Sequence, residues 1–84
     1  MWKTVKWDDG WEFTSYSEND KNGILSYSIG VGNYNVLNNG YYSTIHRYNI
    51  PEYVTSIVYE NIYPDLETAK TDLLFQLKRI KNEG

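Results

Sequence analysis

Asp8-Asp9-Gly10 stands between two runs of aromatic and β-branched residues, 2–7 and 11–16, and commits the start of this chain to a β-hairpin. A three-residue loop, a type I turn closed by Gly10 in the left-handed conformation, sets Trp7 against Trp11, Val5 against Phe13 and Lys3 against Ser15. The other side then pairs Lys6 with Glu12, Thr4 with Thr14 and Trp2 with Tyr16, all favourable cross-strand combinations. A two-residue loop at Asp9-Gly10 would oppose Trp7 to Glu12 and Phe13 to Lys6, so the longer loop is preferred. This register predicts a core face of Val5, Trp7, Trp11 and Phe13, with Trp2 and Tyr16 as an aromatic pair on the opposite side of the sheet.

The remaining pattern continues as strands and ends as a helix. Residues 17–23 read as a polar loop closed by the turn dipeptide Asn22-Gly23. Leu25, Tyr27, Ile29 and Val31 alternate with Ser26, Ser28 and Gly30, the period of a half-buried strand. Gly30 and Gly32 mark a bulge or a close backbone approach. Asn38-Asn39-Gly40 separates residues 34–37 from 41–48, where neither loop length separates apolar from polar side chains cleanly. After Pro51, residues 53–59 form a last strand, rich in residues suited to a pleated surface. Asp65 is an N-cap, with Glu67 in the first helical turn and Lys78, Arg79 and Lys81 in the last. Leu66, Ala69, Leu73, Leu77 and Ile80 make one helical stripe flanked by Leu74, and Phe75 lies roughly opposite it among polar residues. The expected fold is α+β: an antiparallel sheet of four to five strands, built from hairpins, then one C-terminal amphipathic helix packed on one face, all in a single domain of residues 1–84. Which face the helix covers is not readable from the pattern.

Composition narrows function mainly by exclusion. With 84 residues and no cysteine, the core must hold without disulfide or thiolate–metal staples. Net charge is -3, too weak to mark a nucleic-acid binder by its field, and residues 1–20 hold five acids against two lysines. The chain start shows no apolar signal segment and no stretch resembles a spanning helix, so a cytoplasmic protein without membrane contact is expected. Asn, Tyr, Ile and Lys number 9, 9, 7 and 6, a usage that suits the codons of an AT-rich bacterial or phage genome.

No constellation commits to chemistry. Glu18-Asn19-Asp20-Lys21-Asn22-Gly23 has the oxygen spacing of the first half of a calcium loop, but the twelfth position is Ile29 and the flanks are strands. His46 is the sole imidazole, and no nucleophile elbow, metal-protease helix or phosphate loop accompanies it. Gly30-Val31-Gly32 lacks the third glycine of a dinucleotide fingerprint. Asp8 and Asp9 sit on a tight turn without an apolar pocket. No cofactor, metal or catalytic residue is expected.

The surplus of aromatics points instead to contact surfaces, since Trp and Tyr are enriched in binding hot spots. The expected function is a small non-enzymatic protein-binding module that inhibits or modulates a larger cytoplasmic protein. Phage and mobile-element accessory proteins are of this type and size. Its partner-binding residues are expected to be Trp2, Tyr16, Asp8, Asp9, Glu12 and Phe75. The alternative is a single-stranded nucleic-acid binder stacking bases on sheet aromatics, against which stand seven acids and four bases in residues 1–64. Self-association through a sheet edge or Phe75 is compatible with either.

Overall fold

In the computed structural model, which describes residues 1–8, 10–33, 40–49, 52 and 54–83, the chain forms a five-stranded antiparallel meander followed by one helix. The elements are β1 (Trp2–Lys6), β2 (Glu12–Asn19), β3 (Leu25–Asn33), β4 (Tyr41–Asn49), β5 (Val54–Tyr63) and α1 (Leu66–Glu83), and the strands lie in chain order. Short connections between sequential neighbours explain that order. Of the sequence expectations, residues 34–37, Asp9, Pro51, Tyr53 and the asparagines of the Asn38-Asn39-Gly40 turn lie outside the described residues.

The first hairpin takes the three-residue register. Trp2 opposes Tyr16, Thr4 opposes Thr14, Val5 opposes Phe13 and Lys6 opposes Glu12. Trp7 donates its amide to the Trp11 carbonyl at 2.8 Å, and Gly10, at φ 92°, donates to the Trp7 carbonyl. Two strands extend three or more residues past their predicted ends, and the others differ by one or two. β2 runs through Ser17 and Glu18 to Asn19, leaving a shorter turn in which the Asp20 carboxylate accepts the amides of Asn22 (2.8 Å) and Ile24 (3.0 Å). That local Asx-type turn occupies the carboxylate that a calcium loop would need. β5 continues four residues past Tyr59, because Asn61 and Tyr63 keep the alternation that places them beside Ser43 and Tyr41.

The helix decides which face is the core. Asp65 caps it as expected, accepting from the Thr68 amide at 2.8 Å and the Thr68 hydroxyl at 3.0 Å, and these bonds hold its carboxyl below the usual range. The stripe then buries Ala69, Leu73 and Leu77 against Ile29, Val31, Ile45 and Tyr63, with Leu66 and Ile80 at its ends. Trp2 and Tyr16 belong to this same face. Their rings lie 5.3 Å apart beside the core, and the Lys70 ammonium of the helix sits 5.7 Å from the Trp2 ring.

The predicted faces of the first hairpin are therefore exchanged: Val5, Trp7 and Phe13 are exposed, and Trp2 and Tyr16 are covered. The cause is a one-residue bulge. Asn19 opposes Leu25, but Glu18 opposes Tyr27, so Ser26 is an extra residue in β3. Without it Phe13 would share a face with Val31; with it Tyr16 opposes Ile29 and Thr14 opposes Val31. Because side chains alternate with period two, one inserted residue turns over the whole hairpin relative to the core.

Candidate docking surface

The side of the sheet away from the helix carries three registered rows. Val5, Phe13, Gly32, Tyr42 and Ile62 form the first, and Lys3, Ser15, Gly30, Thr44 and Glu60 the second. Ser17, Ser28, His46 and Ile57 form the third. Val5, Phe13, Tyr42, Ile57 and Ile62 are each between 38% and 56% exposed, which leaves a band of large apolar side chains in water across all but the central strand. The alternation carries Trp7 and Trp11 to the same side, where their rings meet edge to face at 6.5 Å.

Local chemistry shapes this surface. The Phe13 ring lies over Gly30, so close that a Cβ there would stand 3.0 Å from its ring carbon. This is the diagonal aromatic-over-glycine packing that restores area to a bare strand. The glycine leaves a shallow groove bordered by Phe13, Ser28, Thr44, His46 and Tyr48. Within it the Ser28 and Tyr48 hydroxyls are 3.0 Å apart, and the His46 ring is 6.5 Å from that of Tyr48. The Tyr42 hydroxyl donates to Glu60 at 2.7 Å, which fixes that carboxylate on the open face.

None of the expected contact residues lies in these rows. Asp8 is exposed at the first turn and Asp9 is outside the described residues. Glu12 lies on the helix side of the sheet, 3.7 Å from the Lys6 ammonium. Phe75 is 63% exposed on the outer face of α1, separated from the open sheet face by the whole thickness of the molecule. Trp2 and Tyr16 complete the core edge. The open-face residues Tyr42, Ile57 and Ile62 were not singled out from the sequence, because the register of residues 41–48 is not readable from the pattern and a second bulge makes Val58 extra in β5.

One polar cluster is structural. Tyr63 donates to Asp72 at 2.5 Å, and the Tyr59 hydroxyl is 2.9 Å from that of Tyr63. Burial first, then the hydrogen bonds to Asp72 and Tyr59, pushes the Tyr63 phenol well above its usual value, so it keeps its proton and ties helix to sheet. Among the described residues no three His, Cys, Asp or Glu side chains group to hold a metal, and no helix is long and apolar enough to cross a membrane. No protein-family model, curated protein or solved structure matches the chain.

Proposed function

We propose that the chain is a non-enzymatic protein-binding module whose docking surface is the open sheet face. The observation that carries this reading is the apolar band of Val5, Phe13, Tyr42, Ile57 and Ile62, exposed on a five-stranded sheet. Large apolar side chains held by strand pairing need little ordering on contact, and that lowers the cost of binding. A larger cytoplasmic protein, inhibited or modulated by an accessory protein of this size, is the partner class proposed. The open face also carries aromatics that could stack on bases. Lys3 is its one lysine or arginine among the three registered rows, which is a poor electrostatic track for a phosphate backbone.

The test is a tagged pull-down with the wild-type chain and Phe13→Asp side by side, each repeated with nuclease and high salt. One stoichiometric protein that survives both treatments and disappears with Phe13→Asp supports the reading. A signal removed by nuclease or salt transfers it to nucleic acid. Turnover of any substrate that is abolished by His46→Ala would overturn the non-enzymatic assignment.

A further inference from the structure

Two of the three rows of the open face are self-complementary about their central strand; the third, in which Ser17 mirrors His46 across Ser28, is not. In the first row, outward from Gly32, Phe13 mirrors Tyr42 and Val5 mirrors Ile62; in the second, outward from Gly30, Ser15 mirrors Thr44 and Lys3 mirrors Glu60. Aromatic thus mirrors aromatic, aliphatic mirrors aliphatic, hydroxyl mirrors hydroxyl, and cation mirrors anion, while the two mirror positions hold glycine.

We infer that the free protein pairs with a second copy of itself, open face to open face, about a two-fold axis parallel to β3. This rests on the reading of that face as a docking surface and names its occupant when the protein is alone. Rotation about such an axis lays β1 of one copy over β5 of the other at the same row. Lys3 then meets Glu60 of the second copy, and Glu60 meets Lys3 of the second copy, as an isologous contact requires. Phe13 meets Tyr42 and Val5 meets Ile62 in the same way, while Gly30 and Gly32 let the sheets approach at the axis. An axis across the strands would instead stack Lys3 on Lys3 and Glu60 on Glu60, so charge selects between the two arrangements. The aligned arrangement is also an ordinary way for twisted sheets to stack, with mean strand directions within about 30° of each other.

Size sets the strength expected. Five strands about 4.8 Å apart and three rows about 7 Å apart give a footprint on the order of 500 Å² per copy. The two copies together cover on the order of 1,000 Å², the lower limit for a specific interface, so association in the micromolar range or weaker is expected. The apolar row supplies most of it. The Lys3–Glu60 contacts lie at the rim and set orientation.

The experiment is sedimentation equilibrium of the untagged chain from about 1 μM to about 1 mM, a span that brackets such affinities. Wild-type, Lys3→Glu, Glu60→Lys, Ile62→Asp and the double exchange Lys3→Glu/Glu60→Lys are compared after circular dichroism confirms each is folded. A mass moving from one chain to two, weakened about tenfold by either single reversal and recovered by the double exchange, supports the pairing. Recovery cannot come from within one chain, because β1 and β5 are opposite edges of the sheet, about 19 Å apart. A monomer at every concentration overturns the inference, as does a dimer indifferent to all four variants. In either case the Phe13→Asp pull-down still decides whether the face docks some other protein.

Discussion

Ser26 donates its hydroxyl to the main-chain carbonyl of Glu18 at 3.1 Å, across the one-residue bulge between β2 and β3. The bulge leaves ladder groups without their usual partners, and this bond satisfies one of them from the inserted residue itself. The consequence reaches far beyond two residues, since the bulge sets which face of the first hairpin meets the helix.

Ser26→Ala should therefore cost about 1 kcal/mol, the net worth of a partly buried hydrogen bond, and lower the melting temperature by roughly 4–8 °C in a domain of this size. Urea denaturation and thermal melting check both. Deletion of Ser26 should be far more damaging than Ser26→Ala, because it turns Trp2, Tyr16 and Thr14 away from the helix together. Equal effects for the two variants would mean that the bulge does not hold the faces.

That dependence explains how far the sequence could be read. Elements with their own local signal were legible: the Asp8-Asp9-Gly10 register, the alternation of Tyr27, Ile29 and Val31, the Asp65 cap and the Leu66 to Ile80 stripe all stand as expected, while Leu25, beyond the Ser26 bulge, opposes Asn19 and leaves their face. The face assignment was not, because it is set by one serine whose insertion has no signature in hydrophobic period. Apolar content misled in the same place, since Val5, Trp7, Trp11 and Phe13 are the more hydrophobic side of their hairpin and yet form the uncovered one. The excess of apolar side chains outside the core forms the open sheet face proposed above as a docking surface.

Tyr63→Phe removes the bond to Asp72 and should cost about 1.5–3 kcal/mol, the range for a hydrogen bond to a charged acceptor. The low end is expected, since the Tyr59 hydroxyl already lies 3.4 Å from the same carboxylate and can close on it. The pH dependence has a definite sign. A phenol held above its usual value near 10.0 contributes stability that is full below that pH. Above it the unfolded chain ionises while the folded chain keeps its proton, so stability falls as pH rises. Denaturation midpoints across the alkaline range should fall less steeply in Tyr63→Phe than in the wild type.

Gly40 holds a φ of 108°, and a Cβ at this position would stand 2.2 Å from the Tyr63 carbonyl oxygen. Both the backbone conformation and the main-chain neighbour oppose any side chain, and a carbonyl in a strand cannot move aside as a side chain could. Gly40→Ala should cost more than about 2 kcal/mol, against about 1 kcal/mol for a typical substitution. It should also weaken the Tyr41–Tyr63 end of the sheet first, where the clash falls. Hydrogen exchange of amides in residues 41–43 and 61–63, compared with that of β2, reads the locality. Uniform loss of protection across the sheet would contradict it.

Phe75 offers a separate check on which exposed aromatic matters. It stands on the outer face of α1, beside Thr68, Thr71 and Asp72 around a shallow depression, with the core stripe on the opposite side of the helix. Its removal opens no cavity in the core and unpairs no polar group, so Phe75→Asp should change stability by no more than about 0.5 kcal/mol. A pairing built on the open sheet face also leaves this residue outside the contact. Sedimentation equilibrium of Phe75→Asp should therefore give the same mass profile as the wild type, while Phe13→Asp shifts to the single-chain mass. The reverse pattern, with association lost on changing Phe75 and kept on changing Phe13, would move the contact from the sheet to the helix.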